Sequence, residues 1–377
     1  MNAKVALYVG GLLGPFGGGV VAAMLPELGA TFAISPGLAA SSLTAYLLPF
    51  AAVMLVSGTL GERWGLARTI RLGYLVYVAA ALLAAVVPWF WLFQATRGLQ
   101  GMANAFTTPL LMAKLASATP THRLGRALGT FGAMQALGQT SAPLIGGIAA
   151  EGSWQWAFVG IAAVAAVLAA CPLPKDEQHH GDAPPAPLRS IWQPVVLWAG
   201  ALVFVTGACL PGLSFLVAFR LDDAFALSPA TRGVVLTAYG VAGMIGARLV
   251  GSATDRFGSR AAVSGGLAVG GLTVSAIAVT TSLPVVTAAW ALAGVAAQLV
   301  LVGVNTTVLA SQPAGRSGAI SVVTSLRFLG MSTSPAAFTG LYRSDPALGF
   351  LVPAAAMAAT IPAITLLWRR DVRRRGR

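Results

Sequence analysis

Long apolar stretches broken by short polar islands recur along the whole chain, and the uncharged run from Leu72 to Trp91 is representative. A helix of about 20 apolar residues crosses a hydrocarbon layer of roughly 30 Å. The pattern predicts spans near 5–26, 38–60, 70–88, 90–112, 125–148 and 154–172. A second series follows near 193–219, 231–252, 261–281, 285–309, 318–341 and 347–368. Barrel strands would instead alternate over about ten residues, so the expectation is an all-α membrane protein with twelve transmembrane helices in two six-helix bundles. A polar, Pro-rich stretch separates the series. The domains are therefore read as 1–172, a linker at 173–192, and 193–377 with a basic tail. Val86 to Leu92, with its Pro and clustered Trp, suits a tight interfacial hairpin.

Composition narrows this picture. Of 377 residues 56% are hydrophobic and 9% charged, and the mean hydropathy is +0.78, which removes an ordinary soluble domain. The net charge of +13 points to topology rather than nucleic acid. With the N-terminus inside, 19 of the 24 Lys and Arg residues fall on inner connections and termini and only Arg220, Arg232 and Arg343 on outer ones; Arg97 and Arg327 lie within helices. Positive loops stay cytoplasmic, so both termini are expected in the cytoplasm of a multi-pass protein of the plasma (cell inner) membrane. Met1 to Ala6 leads into the first span without a cleavage site. Cys171 and Cys209 lack metal-ligand spacing and read as packing residues. His179 and His180 are adjacent in the linker without a third ligand, and His122 lies in a connection. No metal or other cofactor is expected, and no Ser-His-Asp, Cys-His or phosphate-loop arrangement supports an enzyme.

A charged island from Gly58 to Arg71 returns near Gly251. Gly58 with Gly251, Glu62 with Asp255, Arg63 with Arg256 and Gly65 with Gly258 are each 193 apart, and Arg68 and Arg260 complete the two islands. Farther on, Gly138 with Gly330 and Pro143 with Pro335 are 192 apart. A register held over that distance implies two related bundles. The islands resemble the loop motif between helices 2 and 3 of the major facilitator superfamily. Arg97-Gly98-Leu99-Gln100-Gly101 resembles that family's buried Arg followed by Gln-Gly, and Gly138 to Gly147 resembles the antiporter signature of its drug-efflux branch. Trp154 to Phe158 resembles the start of helix 6 there. The resemblance covers essentially the whole chain; Glu62, Leu66 and Ala142 depart from the usual Asp, basic residue and Gly.

The resemblance implies alternating access, with Glu62 and Arg63 and with Asp255 and Arg256 acting as a cytoplasmic latch; the competing reading is loop solubility and topology. It implies proton coupling through Arg97, against snorkelling to an interface. Gly138, Pro143, Gly146 and Gly147 read as residues for close packing and bending. Arg327, at the repeat position of Gln135, can attract an anion, pair with a carboxylate, or be satisfied by backbone carbonyls. Gln135, Gln139, Gln298 and Asn305, with Tyr46, Trp198, Phe204, Phe215 and Tyr239, are candidates to face a substrate cavity. No acid lies in mid-helix. The expected function is export of a small organic compound by a monomer using proton antiport. Transport of an organic anion and a non-transporting sensor are the rivals.

Overall fold

The computed structural model describes residues 3–173, 193–311 and 316–375, with side chains described except at positions 59, 62, 121, 122, 125, 316–318 and 363–375. The expected linker, with His179 and His180, therefore lies almost wholly outside the described residues. Among the described residues the regular structure is helical: α1 Ala3–Gly19, α2 Leu25–Phe32, α3 Pro36–Trp64, α4 Leu66–Val86, α5 Phe90–Ala105, α6 Thr108–Ser117, α7 Thr121–Gly152 and α8 Gln155–Ala170. The second series is α9 Pro194–Cys209, α10 Ser214–Asp223, α11 Pro229–Val279, α12 Leu283–Ser311, α13 Arg316–Ser344 and α14 Leu348–Arg375.

Three expected single spans are instead broken pairs. The first is α1 and α2 joined by a 3-10 turn at Ala22–Met24, the fourth is α5 and α6, and the seventh is α9 and α10 joined by Pro211–Leu213. Pro26, Pro109 and Pro211 each stand just beyond a break, where a missing N–H and the ring's clash with the preceding turn prevent continuation. The eighth and ninth spans, which together make up α11, are two helices parted by a kink at Gly258. Six helical segments among the described residues are long and apolar enough to cross a membrane. On α4, Leu72, Leu75 and Leu82 are exposed while Ile70, Tyr74, Tyr77 and Ala81 are buried. A helix apolar on both its packed and its outward face belongs in hydrocarbon.

By proximity the chain divides into two units, Met1–Pro185 with Val217–Gly240, and Ala186–Leu216 with Val241–Arg377. In the first, α1 packs along α7, α3 along α5 and α4 along α8; in the second, α9 packs along α13. The 192-residue register reappears as matching contacts. A Cβ on Gly138 would overlap the Leu12 carbonyl, and one on Gly330 would overlap that of Phe204, so the same two helix faces meet backbone to backbone in both units. The loop glycines match as well. Gly65 has φ 87° and ψ 122° and Gly258 has φ 82° and ψ 157°, a region that side-chain-bearing residues enter only with strain of about 1–3 kcal/mol.

Candidate functional site

Three arginines mark the places of interest: Arg97 and Arg232 are buried, and Arg327 is half-buried. The first is Arg97, on α5. It is fully buried, so the snorkelling alternative is removed. Its Nη1 donates to Gln100 Oε1 at 2.7 Å and its Nη2 to the Gly17 carbonyl at 2.9 Å. The guanidinium carbon lies 4.5 Å from the centre of the Tyr46 ring. Tyr46 in turn donates to the Gly14 carbonyl at 2.8 Å and lies 3.3 Å from the Tyr77 hydroxyl. Gln100 closes the set by donating to the Ala80 carbonyl at 3.3 Å.

This network exists because α1 is rich in glycine. At Gly14 an added Cβ would overlap Asn104, and at Gly17 it would overlap Tyr77. Bare backbone lets Arg97 reach a carbonyl two residues before α1 ends. The cation therefore ties α5 to the broken stretch of the first span. Among the described residues its hydrogen-bond partners are neutral, and its Nε has none.

Arg232, in the first turn of α11, is held differently. It is 1% exposed and donates through Nη1 to Asp222 on α10 and through Nη2 to Glu27 on α2; the two carboxylate side chains are 39% and 26% exposed. Beside it, Glu151 at the end of α7 accepts from the Ala230 N–H at 3.0 Å, satisfying a donor of the α11 N-terminus. Bonds from the Ser228 hydroxyl and then the Ala230 N–H hold the Glu151 carboxyl below its usual range. Sequence reasoning placed Arg232 on an outer connection and did not join it to Glu27 or Asp222. The available signal was a cation in a helix's first turn, where it opposes the helix dipole and calls for acids nearby.

Arg327, on α13, lines a small, partly open recess of about 10 Å3 together with Thr206 and Gly207 of α9, Pro211, and Ala297 and Leu301 of α12. Of the other cavity candidates, none lines it. Tyr46 is engaged under Arg97, which corrects its reading as a cavity wall: the ring is 1% exposed and its hydroxyl is bonded. Trp198 is 53% exposed and Phe204 offers its carbonyl to the Gly330 contact. Gln135, Gln139 and Tyr239 are half-buried on α7 and α11. Asn305 lies one turn beyond Leu301 on α12, and its buried Oδ1 has no hydrogen-bond partner among the described residues.

In the two charged islands, Arg63, Arg68, Asp255 and Arg256 are exposed, Gly58, Gly251 and Arg260 are half-buried, and the Glu62 side chain lies outside the described residues. Gly138, Pro143, Gly146 and Gly147 are buried along α7. A Cβ on Gly146 would overlap the Val20 carbonyl and one on Gly147 the Pro229 carbonyl, so these positions serve close backbone approach. The helix runs on through Pro143.

An integral membrane protein of many apolar helices, with internally repeated units and a neutral-caged arginine in the fourth span, defines the class. Residues 7–222, more than half of the chain, match the sequence profile of the Major Facilitator Superfamily, and the chain belongs to that family. The family is one of membrane transporters, not enzymes. A Mycobacterium tuberculosis (strain ATCC 25618 / H37Rv) protein named Multidrug resistance protein B homolog is 34% identical over 154 residues, which are 39% of this chain and 28% of that protein. The chain spans about a quarter to a third of the length of that and similar curated relatives. Its fold is similar to that of the nucleoside transporter NupG, with a TM-score of 0.78 at 14% identity over 97% of this chain and 99% of that one. It is also similar to a bacterial homologue of the human lysosomal transporter Spinster in an inward-facing, unoccupied conformation. There the TM-score is 0.74 at 17% identity, over 97% of this chain and 94% of that one.

Proposed function

We propose that the chain is a secondary active transporter that exports a small organic compound by proton antiport, through alternating access. The observation that carries this reading is Arg97. An ionised group in a spanning helix is costly, and here it is kept by neutral acceptors, with one N–H unspent, at the break of the first span. A cation so placed responds to charge entering its surroundings and is mechanically tied to a broken helix, the element that transporters of this kind use to line a site. The name of the multidrug relative supports export of an organic compound. In this reading the protein works as a monomer in the plasma (cell inner) membrane with both termini cytoplasmic, and the proton gradient stands in place of a cofactor. The islands at Glu62–Arg63 and Asp255–Arg256 act as the latch on the cytoplasmic side, their paired glycine turns setting how the following helices leave.

Counterflow and efflux in proteoliposomes, with and without an imposed pH gradient, test the proposal. The expected result is flux that rises with an opposing proton gradient and falls to background in Arg97→Leu. Flux indifferent to the gradient removes antiport, and absence of flux for every compound favours the sensor.

A further inference from the structure

The chain builds the same turn twice, at the start of the second span and of the eighth. Ala33 and Ala226, 193 residues apart, both take the left-handed conformation, at φ 50° and 48°. Ser35 and Ser228 follow, their hydroxyls accepting from the N–H of Leu38 at 3.3 Å and of Thr231 at 3.4 Å, and Pro36 and Pro229 open α3 and α11. The charges do not repeat. Where α11 carries Arg232, α3 carries the fully buried Ala39, and the counterparts of Glu27 and Asp222 are Arg220 and Gly29. Helix α3 therefore starts in the same way without a cation, and Arg232 is not needed to build the turn.

Arg232 instead joins segments from the two series. Glu27 is on α2, in the first; Asp222 is on α10, in the second, with Arg232. Both α2 and α10 are the short pieces beyond the break of a span, set off by the 3-10 turns at Ala22–Met24 and Pro211–Leu213. The division into compact units falls inside α10 and inside α11, so Val217–Gly240 packs with the first unit although its chain neighbours on both sides belong to the second. Glu151, on α7 of the first series, adds a second hold on this stretch through the Ala230 N–H. The clasp is incompletely satisfied: Glu27 Oε2 and Arg232 Nε are buried without a hydrogen-bond partner among the described residues. A buried ion pair contributes little net stability, because desolvation offsets its attraction, and its best-attested use is to fix a register or a switch.

We propose that the Arg232 clasp is a lock. It holds α10 and the first turns of α11 to α2 in one access state, and its bond to Glu27 breaks when the other state forms. The lock rests on the alternating-access reading of the protein, in which one series moves against the other. Arg232 and Asp222 lie on consecutive helices of one series and travel together, so their bond survives the change. Glu27 supplies the bond that opens.

The test uses the full-length protein in nanodiscs, carrying Cys171→Ala and Cys209→Ala and a spin label at each of two exposed positions, Ala30→Cys on α2 and Ala224→Cys just beyond α10. Double electron–electron resonance reads the distance between the labels. Glu27→Gln keeps the side chain's shape, removes its charge, and is expected to raise the ratio of separated to joined populations about tenfold. Asp222→Asn is expected to raise it less than about threefold, since both of its partners move as one. Arg232→Gln should match Glu27→Gln, and the double variant should go no further than either alone. Arg232→Gln strands two carboxylates, whereas Glu27→Gln leaves Arg232 paired with Asp222, so the test stands on Glu27→Gln if the arginine variant fails to fold. An unchanged distance distribution in Glu27→Gln, or an equal response to Asp222→Asn, overturns the lock. That failure would leave gradient-driven flux intact, and flux indifferent to the gradient would remove antiport while leaving the lock.

Discussion

Arg97 and Arg232 are both fully packed arginines, yet they are satisfied by opposite means. Arg232 lies between two carboxylates on α2 and α10. Arg97 lies among a carbonyl, an amide oxygen and an aromatic face. The first arrangement cancels charge locally and acts as a clasp. The second keeps a net positive charge inside the bundle, which suits a group that must respond to a proton or substrate. Burial alone therefore does not separate a structural cation from a working one; the formal charge of its partners does.

The comparison makes distinct demands. Arg232→Leu strands two partly exposed carboxylates and is expected to cost about 3 kcal/mol of stability in equilibrium unfolding in micelles. Adding Glu27→Gln and Asp222→Asn should recover more than half of that loss. Failure to recover would show that the clasp is not ionic. Arg97→Leu leaves neutral acceptors unsatisfied and is expected to cost about 2 kcal/mol, while export falls at least about tenfold, equivalent to 1.4 kcal/mol. Removal of a described carboxylate should not restore either. Stability loss without loss of export would make Arg97 a second clasp.

Tyr46→Phe keeps the ring under the guanidinium and removes the bond to Gly14, so about 1 kcal/mol is expected. The smallest effect concerns Glu151, whose carboxyl is lowered chiefly by the Ser228 bond and then by Ala230. A group whose folded-state pKa is lowered adds stability above its unfolded value and loses it as pH falls through the folded one. The advantage of wild type over Glu151→Gln should therefore be full at pH 7, begin to fade below the ordinary value of 4.5, and vanish at lower pH. An advantage that grows on acidification would show that the cap is not ionised.

Most of the fold was legible in the chain because a hydrocarbon solvent imposes a simple rule. Each span must be apolar and helical over about 20 residues. The 192- to 193-residue register implied two related bundles, and it reappears in the contacts of Gly138 with Leu12 and Gly330 with Phe204 and in the turns at Gly65 and Gly258. The breaks after Gly19, Ala105 and Cys209 were missed because hydropathy averages over a window and does not register one missing N–H. Arg97 was recognised as out of place among apolar neighbours. Its partners were not, because a carbonyl is present at every residue and only packing selects which one is freed.

Local composition and spacing thus decided that the chain crosses a membrane repeatedly, that it is built from two related series of helices, and that Arg97 and Arg327 carry unusual charges. These are properties of neighbours in the chain. Which charges cancel and which remain was decided by contacts between residues as far apart as Glu27 and Arg232 or Gly17 and Arg97. Tertiary packing alone brings such groups within bonding distance, and it does so where glycine leaves backbone uncovered.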